Sequence, residues 1–427
     1  MKDMAAETDV QFFSHLNTLC PQLTNDWGCM IKLLDACLVN GVILPTITSA
    51  SVEAGGNITV NFNAAHTCLL FQCVTLAGFS PSAMNGKYRI VGVPTTTQLT
   101  LSSNLSAQSA ISVGTAKLSP LGYEIIFTAN TKRVYRALNP TAQHPYIRVD
   151  ESRASADGAS VYNDSYAKYA MVGLLESMDD IDDVNDPNVL QLPFDPKDPD
   201  KNWTISGTGA GVTRGRAKWY WARSTNAYAS GSDSSAPGSG VRKFTLCGNV
   251  KAFYLLNEMT PADSHKVLSG CGLYDATLSD LVVPSWFLMS ILDTATNSNY
   301  DFSAGDVGGT PISSDKSIAS KFYVPKCNSA NPIQSNDVAY SIIPDGKTGK
   351  SAIYSANNIA ALQIPFYDAS KYLRGTLMHV YYAGNALTLT TSTPMLADSS
   401  MYVSDSIVIQ SGQSGAGGCY FYLGEME

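Results

Sequence analysis

The sequence predicts a mainly β protein, built from β-sandwich-like modules that follow a short helical N-terminal segment. Short runs such as Asn57–Phe62 (NITVNF) alternate apolar and polar residues, the period of a strand with one buried face. Many such runs are separated by polar stretches rich in Gly, Pro, Ser and Asn. No heptad pattern or internal repeat is visible, which argues against a fibrous shaft.

We expect residues 1–45 to be the helical N-terminal segment. Thr8–Leu19 is weakly amphipathic, and Trp27–Leu38 carries a clear apolar stripe at helical spacing, which we expect to pack within the chain. Asn25-Asp26 is a candidate cap for the start of the second helix, and Asn40-Gly41 is a candidate end.

Residues 46–117 are expected to form a small inserted Ig-like β-module. Besides the alternating run described above, Cys68–Leu76, Lys87–Val93 and Gln98–Ser102 read as strands. Asn85-Gly86 precedes the third of these runs, and Asn-Gly is a strong short-range turn signal because both residues tolerate positive φ.

Residues 118–427 are expected to form a β-rich main body with long loops. Candidate strands in it are Gly122–Ala129, Lys132–Ala137, Tyr146–Val149, Tyr166–Leu175, Arg216–Ala222, Arg242–Cys247, Ala252–Leu256, Val338–Ile343, Thr376–Tyr382, Ser406–Gln410 and Gly418–Leu423. Long polar loops, which tend to be contact surfaces, are expected at Ser152–Asp164, Asp179–Trp203, Thr225–Gly240 and Asp301–Lys316.

Two further segments allow alternatives. Leu281–Leu292 reads as a short buried helix or strand. Gly415–Cys419 reads as a hinge into the aromatic run Tyr420–Leu423, which we expect to close the body's own sheet. The alternative is that this run pairs with a neighbouring subunit by strand addition.

Composition excludes some classes of function. The formal net charge of −8 over 427 residues argues against a sequence-independent nucleic-acid binder, which needs a basic surface. Only 15% of residues are charged, and small polar residues suit wide, wet contacts with other subunits. Met1–Val10 lacks the apolar core of a signal peptide, and no apolar run is long enough to span a membrane. We therefore expect a protein made in a cytoplasm, with no membrane partner.

The cysteines are more numerous than a cytosolic protein of this kind needs. None forms a Cys-x-x-Cys pair or stands at metal-ligand spacing from a histidine, so no zinc site is expected. Small buried residues are the favoured interpretation, and disulfides formed outside a reducing cell are the alternative. The nine positions are Cys20, Cys29, Cys37, Cys68, Cys73, Cys247, Cys271, Cys327 and Cys419.

Two charged motifs are candidate sites. The acidic cluster at 179–186 contains Asp and Asn oxygens of the kind that hold Ca²⁺, but it lacks the Gly and Glu of an EF-hand, which favours a solvated turn. The basic-aromatic strand Lys218–Arg223 could stack on bases or sugars, although an ordinary amphipathic strand is favoured.

No catalytic, metal or cofactor motif is recognisable. The five histidines lie outside any nucleophile or metal pattern, and there is no Walker loop, Gly-x-Ser-x-Gly elbow or His-Glu-x-x-His. Paired carboxylates for glycoside hydrolysis need only spatial proximity, and nothing in the sequence indicates such a pair. We therefore predict no enzyme activity and no cofactor.

Several segments resemble structural proteins of tailed bacteriophages. They are WGCMIKLLDACLVNG from residue 27, MNGKYRIVGV from residue 84, TQLTLS from residue 97, NTKRVYRA from residue 130 and KYLRGTLMHVYY from residue 371. The resemblance is firmest over the N-terminal third of the chain. It implies a β-rich virion protein of the neck, collar, tail or baseplate, acting by assembly rather than catalysis.

The resemblance also implies partners. These are copies of the chain itself, arranged as a symmetric ring, and other virion proteins, in a particle that matures from a host cytoplasm. Some cysteines would then crosslink subunits in the mature particle. Alternative functions are a receptor-binding or glycan-binding tail protein, using Trp219–Trp221, and a capsid decoration protein.

Overall fold

The computed structural model describes residues 6–107, 111–195, 198–224, 232–261, 266–277, 283–292, 322–326, 336–342, 361–382, 391–408 and 416–426. These residues are organised in antiparallel sheets with one short α-helix. The mainly β, sandwich-like fold class is confirmed.

Elements are numbered in chain order. The first part of the chain contains β1 (Gln11–Ser14), α1 (Cys29–Leu34), a π-helix (Asp35–Asn40), β2 (Val42–Ile43), β3 (Ile47–Val52), β4 (Ile58–Phe62), β5 (Cys73–Ala77), a 3₁₀ turn (Ser82–Met84), β6 (Gly86–Thr95), β7 (Gln98–Leu101) and β8 (Thr115–Leu118).

The middle of the chain contains β9 (Tyr123–Ala129), β10 (Lys132–Ala137), β11 (Tyr146–Asp150), β12 (Lys168–Leu175), β13 (Gln191–Leu192), β14 (Ile205–Ser206), β15 (Thr213–Arg214), β16 (Ala217–Ala222), β17 (Phe244–Gly248), β18 (Ala252–Glu258), β19 (Lys266–Leu273), β20 (Asp275–Ala276), β21 (Trp286–Met289) and β22 (Ile291–Leu292). Short 3₁₀ turns lie at Pro199–Asn202, Gly209–Gly211 and Ser232–Ser234.

The last part contains β23 (Phe322–Pro325), β24 (Asn336–Ser341), β25 (Leu362–Asp368), β26 (Leu373–Tyr382), β27 (Thr393–Ala397), β28 (Ser400–Val408) and β29 (Ala416–Glu425).

The large sheet has the order β1-β17-β18-β19-β21-β23-β24-β25-β26-β29-β28-β27, with β20 paired to β26. It curls, so strands from both ends share one core: the Tyr254 ring on β18 lies 6.4 Å from the Phe421 ring on β29. Side chains bridge these ends, since the Ser14 hydroxyl donates to Ser392 at 2.7 Å and Lys266 forms a fully buried ion pair with Asp405.

A second sheet has the order β22-β16-β12-β11-β10-β9, with β13 added beside β12. Along β12 the side chains alternate between two cores: Val172 joins the core shared with the other sheets, and its neighbour Met171 joins a core beneath the loops. This is the period-2 pattern of a strand buried on both faces. The layer of loops over Met171 holds the candidate site described below.

The module strands form a third sheet in the order β2-β8-β5-β6-β7-β4-β3. The long strand β6 pairs with β5 through Gly86–Arg89 and with β7 from Ile90 onward, so it bends the sheet into two halves. All four strands expected between 57 and 102 are present, within a few residues of their expected bounds.

The prediction that residues 1–45 are helical is wrong in part. Thr8–Leu19 is not a helix: Gln11–Ser14 is a buried strand that pairs with β17. A strand that is buried on both faces shows no alternation of apolar and polar residues, and a run of four residues is compatible with a helix or a strand. The apolar pair Phe12-Phe13 therefore does not distinguish the two structures. Within residues 6–45, helical structure is confined to Cys29–Asn40, and its apolar stripe does pack within the chain.

The expected helix cap is also wrong. The N-cap is Gly28 at φ 85°, and no side chain of the local Asn-Asp pair caps α1. Instead the Glu151 carboxylate accepts hydrogen bonds from the backbone N–H of Gly28 and, at 2.7 Å, of Ile31. The expected end is confirmed, since Gly41 terminates the π-helix at φ 73°.

Two turn and terminus predictions are resolved. Asn85-Gly86 is not a hairpin turn, because Asn85 has an extended backbone and its amide bridges back to both backbone groups of Phe79. The C-terminal strand β29 lies inside the large sheet, between β26 and β28, so the prediction that it closes the body's own sheet is confirmed. Within Leu281–Leu292, the described part forms strands β21 and β22.

Candidate functional site

A cavity of about 530 Å³ lies where two of the long polar loops meet over the second sheet. Its lining combines two cations, four carboxylates, small hydroxyl and amide groups, and a few apolar side chains. The lining residues are Lys132, Arg148, Asp150, Ser152, Ala154, Ser155, Ala156, Asp157, Asp182, Val184, Asn185, Asp200, Trp203, Thr204 and Ile205.

Strands β10 and β11 supply the charged floor of the cavity. Lys132 stands opposite Asp150, and Val134 stands opposite Arg148, in the antiparallel register of this pair. Residues two apart on a strand face the same side, so Arg148 and Asp150 share one face. Arg148 Nη1 donates to Asp150 Oδ2 at 3.0 Å, and both side chains are almost fully buried.

The acidic loop is fixed onto this floor by Asp182. Its Oδ1 accepts hydrogen bonds from Lys132 and, at 2.7 Å, from Arg148 Nη2, while Arg148 Nε donates to the Ile181 carbonyl at 2.7 Å. Burial alone would raise the pKa of Asp182, but the hydrogen bonds from the two cations lower it overall. The loop is therefore held by ion pairs rather than simply solvated.

Other carboxylates of the acidic cluster bind the loop's own backbone. Asp180 Oδ1 accepts from the Asp182 N–H at 2.8 Å, and Asp183 Oδ2 accepts from the Asp179 N–H at 2.8 Å. Across the described residues, no group of three or more His, Cys, Asp or Glu side chains is placed to hold a metal ion. The Ca²⁺ interpretation of residues 179–186 gains no support.

One wall of the cavity is formed by the indole of Trp203. The Arg148 guanidinium carbon lies 4.4 Å from the centre of that ring, within the range of a cation–π contact. At the mouth, Asp157 is fully exposed, and hydrogen bonds from the Ser155 hydroxyl and the Ala159 N–H lower its pKa. A hydrogen bond with Asp198 raises the pKa of Asp200.

The chemistry of the lining suits a neutral polar ligand. Four carboxylates outnumber two cations, and both cations are already paired with Asp182, so an anion would find no free positive charge. Carboxylate oxygens accept hydrogen bonds from the hydroxyl groups of a ligand, and the hydroxyl groups of the lining can both donate to them and accept from them.

The basic-aromatic strand does not face solvent. Trp219 and Trp221 are fully buried; their indole nitrogens donate to the carbonyls of Met289 at 2.8 Å and Asp26 at 3.2 Å. Lys218 and Arg223 are each about 1% exposed. The structure therefore gives no support to Trp219–Trp221 as a glycan-binding surface, because the rings of Trp219, Tyr220 and Trp221 are buried.

All eight described cysteines are buried free thiols, and Cys327 lies outside the described residues. Burial raises the pKa of the Cys68, Cys247, Cys271 and Cys419 thiols, which keeps them protonated and unreactive. The expected crosslinks between subunits would need exposed thiols, and none of these eight is exposed.

The histidines that the structure describes have structural roles. His66 Nδ1 accepts from the Cys68 N–H at 3.0 Å, and His144 Nδ1 accepts from the Thr141 N–H at 3.0 Å. Burial lowers the pKa of His15, His66, His144 and His379. His265 lies outside the described residues.

Sequence reasoning found the loops of the cavity but missed its floor. Arg148 and Asp150 are not predicted as site residues, because charged residues in a short strand are ordinarily assigned to its solvent face. Trp203 stands at the end of a polar loop with no pattern that marks it as part of a site. The available signal was the Arg-Val-Asp spacing of residues 148–150, which places opposite charges on one face next to an apolar residue. The Thr225–Gly240 and Asp301–Lys316 loops fall partly or wholly outside the described residues.

No protein-family model matches this sequence, and no curated protein matches it significantly. Within the described residues, no helix has the length and apolar character needed to cross a membrane.

Proposed function

We propose that this chain is a non-enzymatic structural component of a tailed-phage virion, placed in the neck, collar, tail or baseplate and assembled as a ring of copies. The resemblance of its N-terminal third supports this proposal. The observation that carries it furthest is the open edge of the small module, where β3 pairs only with β4 among the described strands.

The edge strand β3 has the composition of an interface strand. Ile47–Val52 contains no Lys, no Pro and no acidic residue, the devices by which proteins usually block an edge. The register shift between Ile47 and Ser49 is a bulge, which also blunts an edge, so regular pairing with β4 is confined to residues 49–52 of the strand. Its outer backbone groups are thus available to a strand from a second copy.

Hydrogen bonds that join the large sheet to the small module support the same function. Gln11 on β1 bonds to the backbone of the module through Cys73 N and O and Ser119 O, at 2.8 to 3.0 Å. Such links tie the large sheet to the small one, so a force applied at the module reaches the body. A ring component that resists contraction or internal pressure needs this coupling.

Native mass spectrometry with negative-stain imaging tests the proposal. The resemblance to phage tail and neck proteins implies closed rings of about six or twelve copies, which heterologous contacts form when the rotation between subunits divides the circle. A stable trimer would instead favour a fibre or receptor-binding protein. A chain that remains monomeric over the whole accessible concentration range would contradict self-assembly.

A second candidate function, glycan binding, is favoured by the cavity rather than by Trp219–Trp221. Asp157, Ser155 and Trp203 offer the carboxylate, hydroxyl and aromatic groups that recognise sugars. Calorimetry with host-surface oligosaccharides tests it. Asp157→Asn should weaken binding by at least about tenfold, whereas Asp186→Asn, an exposed change outside the cavity, should leave it unchanged. Absence of heat with any oligosaccharide would remove this candidate.

A further inference from the structure

Two thiols on separate segments are in contact. Cys20 Sγ lies 3.8 Å from Cys37 Sγ, and both residues are buried, at 2% and 0% exposed. Cys20 sits in the turn after β1, where its N–H donates to the Asn17 carbonyl at 2.8 Å. Cys37 lies within the π-helix, and its carbonyl accepts from the Leu121 N–H at 2.9 Å. Backbone hydrogen bonds thus hold both segments in place.

We propose that Cys20 and Cys37 form an intramolecular disulfide when the folded protein meets a small-molecule disulfide such as oxidised glutathione. A disulfide requires the sulfur atoms to be about 2.05 Å apart. The sulfurs must therefore approach by less than 2 Å (~1.8 Å), a distance within the range of side-chain rotation. No change of sheet pairing is needed.

The exchange proceeds in two balanced steps. The Cys20 thiolate attacks the small disulfide, forms a mixed disulfide and releases one small thiolate. The Cys37 thiolate then attacks the Cys20 sulfur and releases the second. The two cysteines lose two electrons and two protons in total, and the small disulfide is reduced to two thiols.

The surroundings of the two thiols indicate which one attacks the small disulfide first. Leu16 and Leu19, in the same turn as Cys20, are each 45% exposed, whereas Cys20 is only 2% exposed, so a reagent reaches its thiol when this surface turn opens locally. Cys37 is enclosed by the core, where burial and the hydrogen bond with the Cys20 thiol raise its pKa. Cys20 is therefore the attacking thiol and Cys37 the resolving one.

The bond would join the turn that follows β1 to the π-helix. It would lock the edge of the large sheet to the segment whose carbonyls at Cys37 and Leu38 accept from Leu121 and Gly122. This inference is independent of the proposed assembly function, since the bond lies within one chain.

Peptide mapping of the whole chain tests the inference directly. The folded protein is incubated with oxidised glutathione, free thiols are blocked with N-ethylmaleimide after unfolding, and peptides are identified without reduction. The expected product is a peptide pair joining Cys20 to Cys37, with the protein still monomeric on a denaturing non-reducing gel. Recovery of both as blocked thiols, or pairing of either with another cysteine, would overturn the inference.

Variants give a second readout. Cys20→Ser and Cys37→Ser should each abolish the peptide pair and the rise of a few degrees in melting temperature that oxidation brings to the wild type. Cys68→Ser, which replaces a buried thiol bonded to the His66 carbonyl at 3.4 Å, should keep both. An oxidation-dependent rise that persists in Cys20→Ser would count against the bond; the mapping of the wild-type chain decides even if a variant fails to fold.

Discussion

The guanidinium of Arg89 donates a hydrogen bond to the backbone carbonyl of Leu423, 334 residues further along the chain, with an Nη2–O distance of 2.8 Å. The same side chain donates to the carbonyls of Glu7 at 2.7 Å and Phe71 at 2.6 Å. One fully buried cation in the module thus joins the segment that precedes β1 to the strand β29 of the large sheet.

Arg89→Met is expected to lower the free energy of unfolding by about 3 kcal/mol, because buried carbonyls would lose a charged donor. Urea unfolding measures this. Lys87→Met, which removes a less buried positive charge from the same strand, is the matched control and should cost less than about 0.5 kcal/mol. Equal losses in the two variants would show that the three carbonyl contacts contribute little.

Glu151→Ala is expected to destabilise the protein by about 1 to 2 kcal/mol, because the first turn of α1 would lose the carboxylate that caps Gly28 and Ile31. Thermal unfolding followed by circular dichroism measures the change. Glu176→Ala, at an exposed position, should be nearly neutral. An unchanged melting temperature in Glu151→Ala would mean that water caps the helix equally well.

Stability should fall between pH 6.5 and about 4 because of His379. Its pKa is lowered to about 4, chiefly by burial, from an ordinary value of 6.5. The unfolded chain therefore binds a proton in this range that the folded chain does not, so unfolding is favoured as pH falls. His379 is partly solvated, and we expect a loss on the order of 2 kcal/mol.

The variant His379→Asn isolates this contribution. Asn tolerates the positive φ of 60° found at this position, and it does not titrate. Its stability should decline less steeply than that of the wild type between pH 6.5 and 4, with a residual slope from His15, His66 and His144. Parallel pH profiles for the two proteins would exclude His379 as the cause.

Ser51→Lys is expected to block ring formation without affecting the fold. Ser51 is exposed on β3, where a lysine opposes pairing with another strand. Ala65→Lys adds the same charge at an exposed loop of the same module and should assemble normally. Native mass spectrometry gives the copy number of each variant; rings from Ser51→Lys would exclude β3 as the interface.

The sequence predicts those strands in which successive residues alternate between apolar and polar. Ile58–Phe62 and Gln98–Leu101 lie on one-sided strands, and period 2 identifies them. It failed at Gln11–Ser14, which is buried on both faces and too short for any period to be read. The Glu151 cap is equally invisible, because the capping carboxylate comes from the residue that follows β11, 120 residues after Ile31 in the chain.

The candidate site, too, is predictable from the sequence only in part. The loops at 152–164 and 179–203 were expected as surfaces from their composition, and both contribute to the cavity. The ion pairs between Asp182 and its two cations depend on strand register, which composition does not reveal. Burial of Trp219 likewise depends on which sheets cover its strand, a property of the tertiary fold.

The pairing of β1 with β17 has a consequence for the order in which the chain folds. Gln11–Ser14 is synthesised before its partner Phe244–Gly248, which follows more than two hundred residues later. The strand must therefore wait with its edge exposed while the small module, whose contacts are local, folds between them. During synthesis the unpaired strand β1 would thus carry a risk of aggregation that is removed once β17 has paired with it.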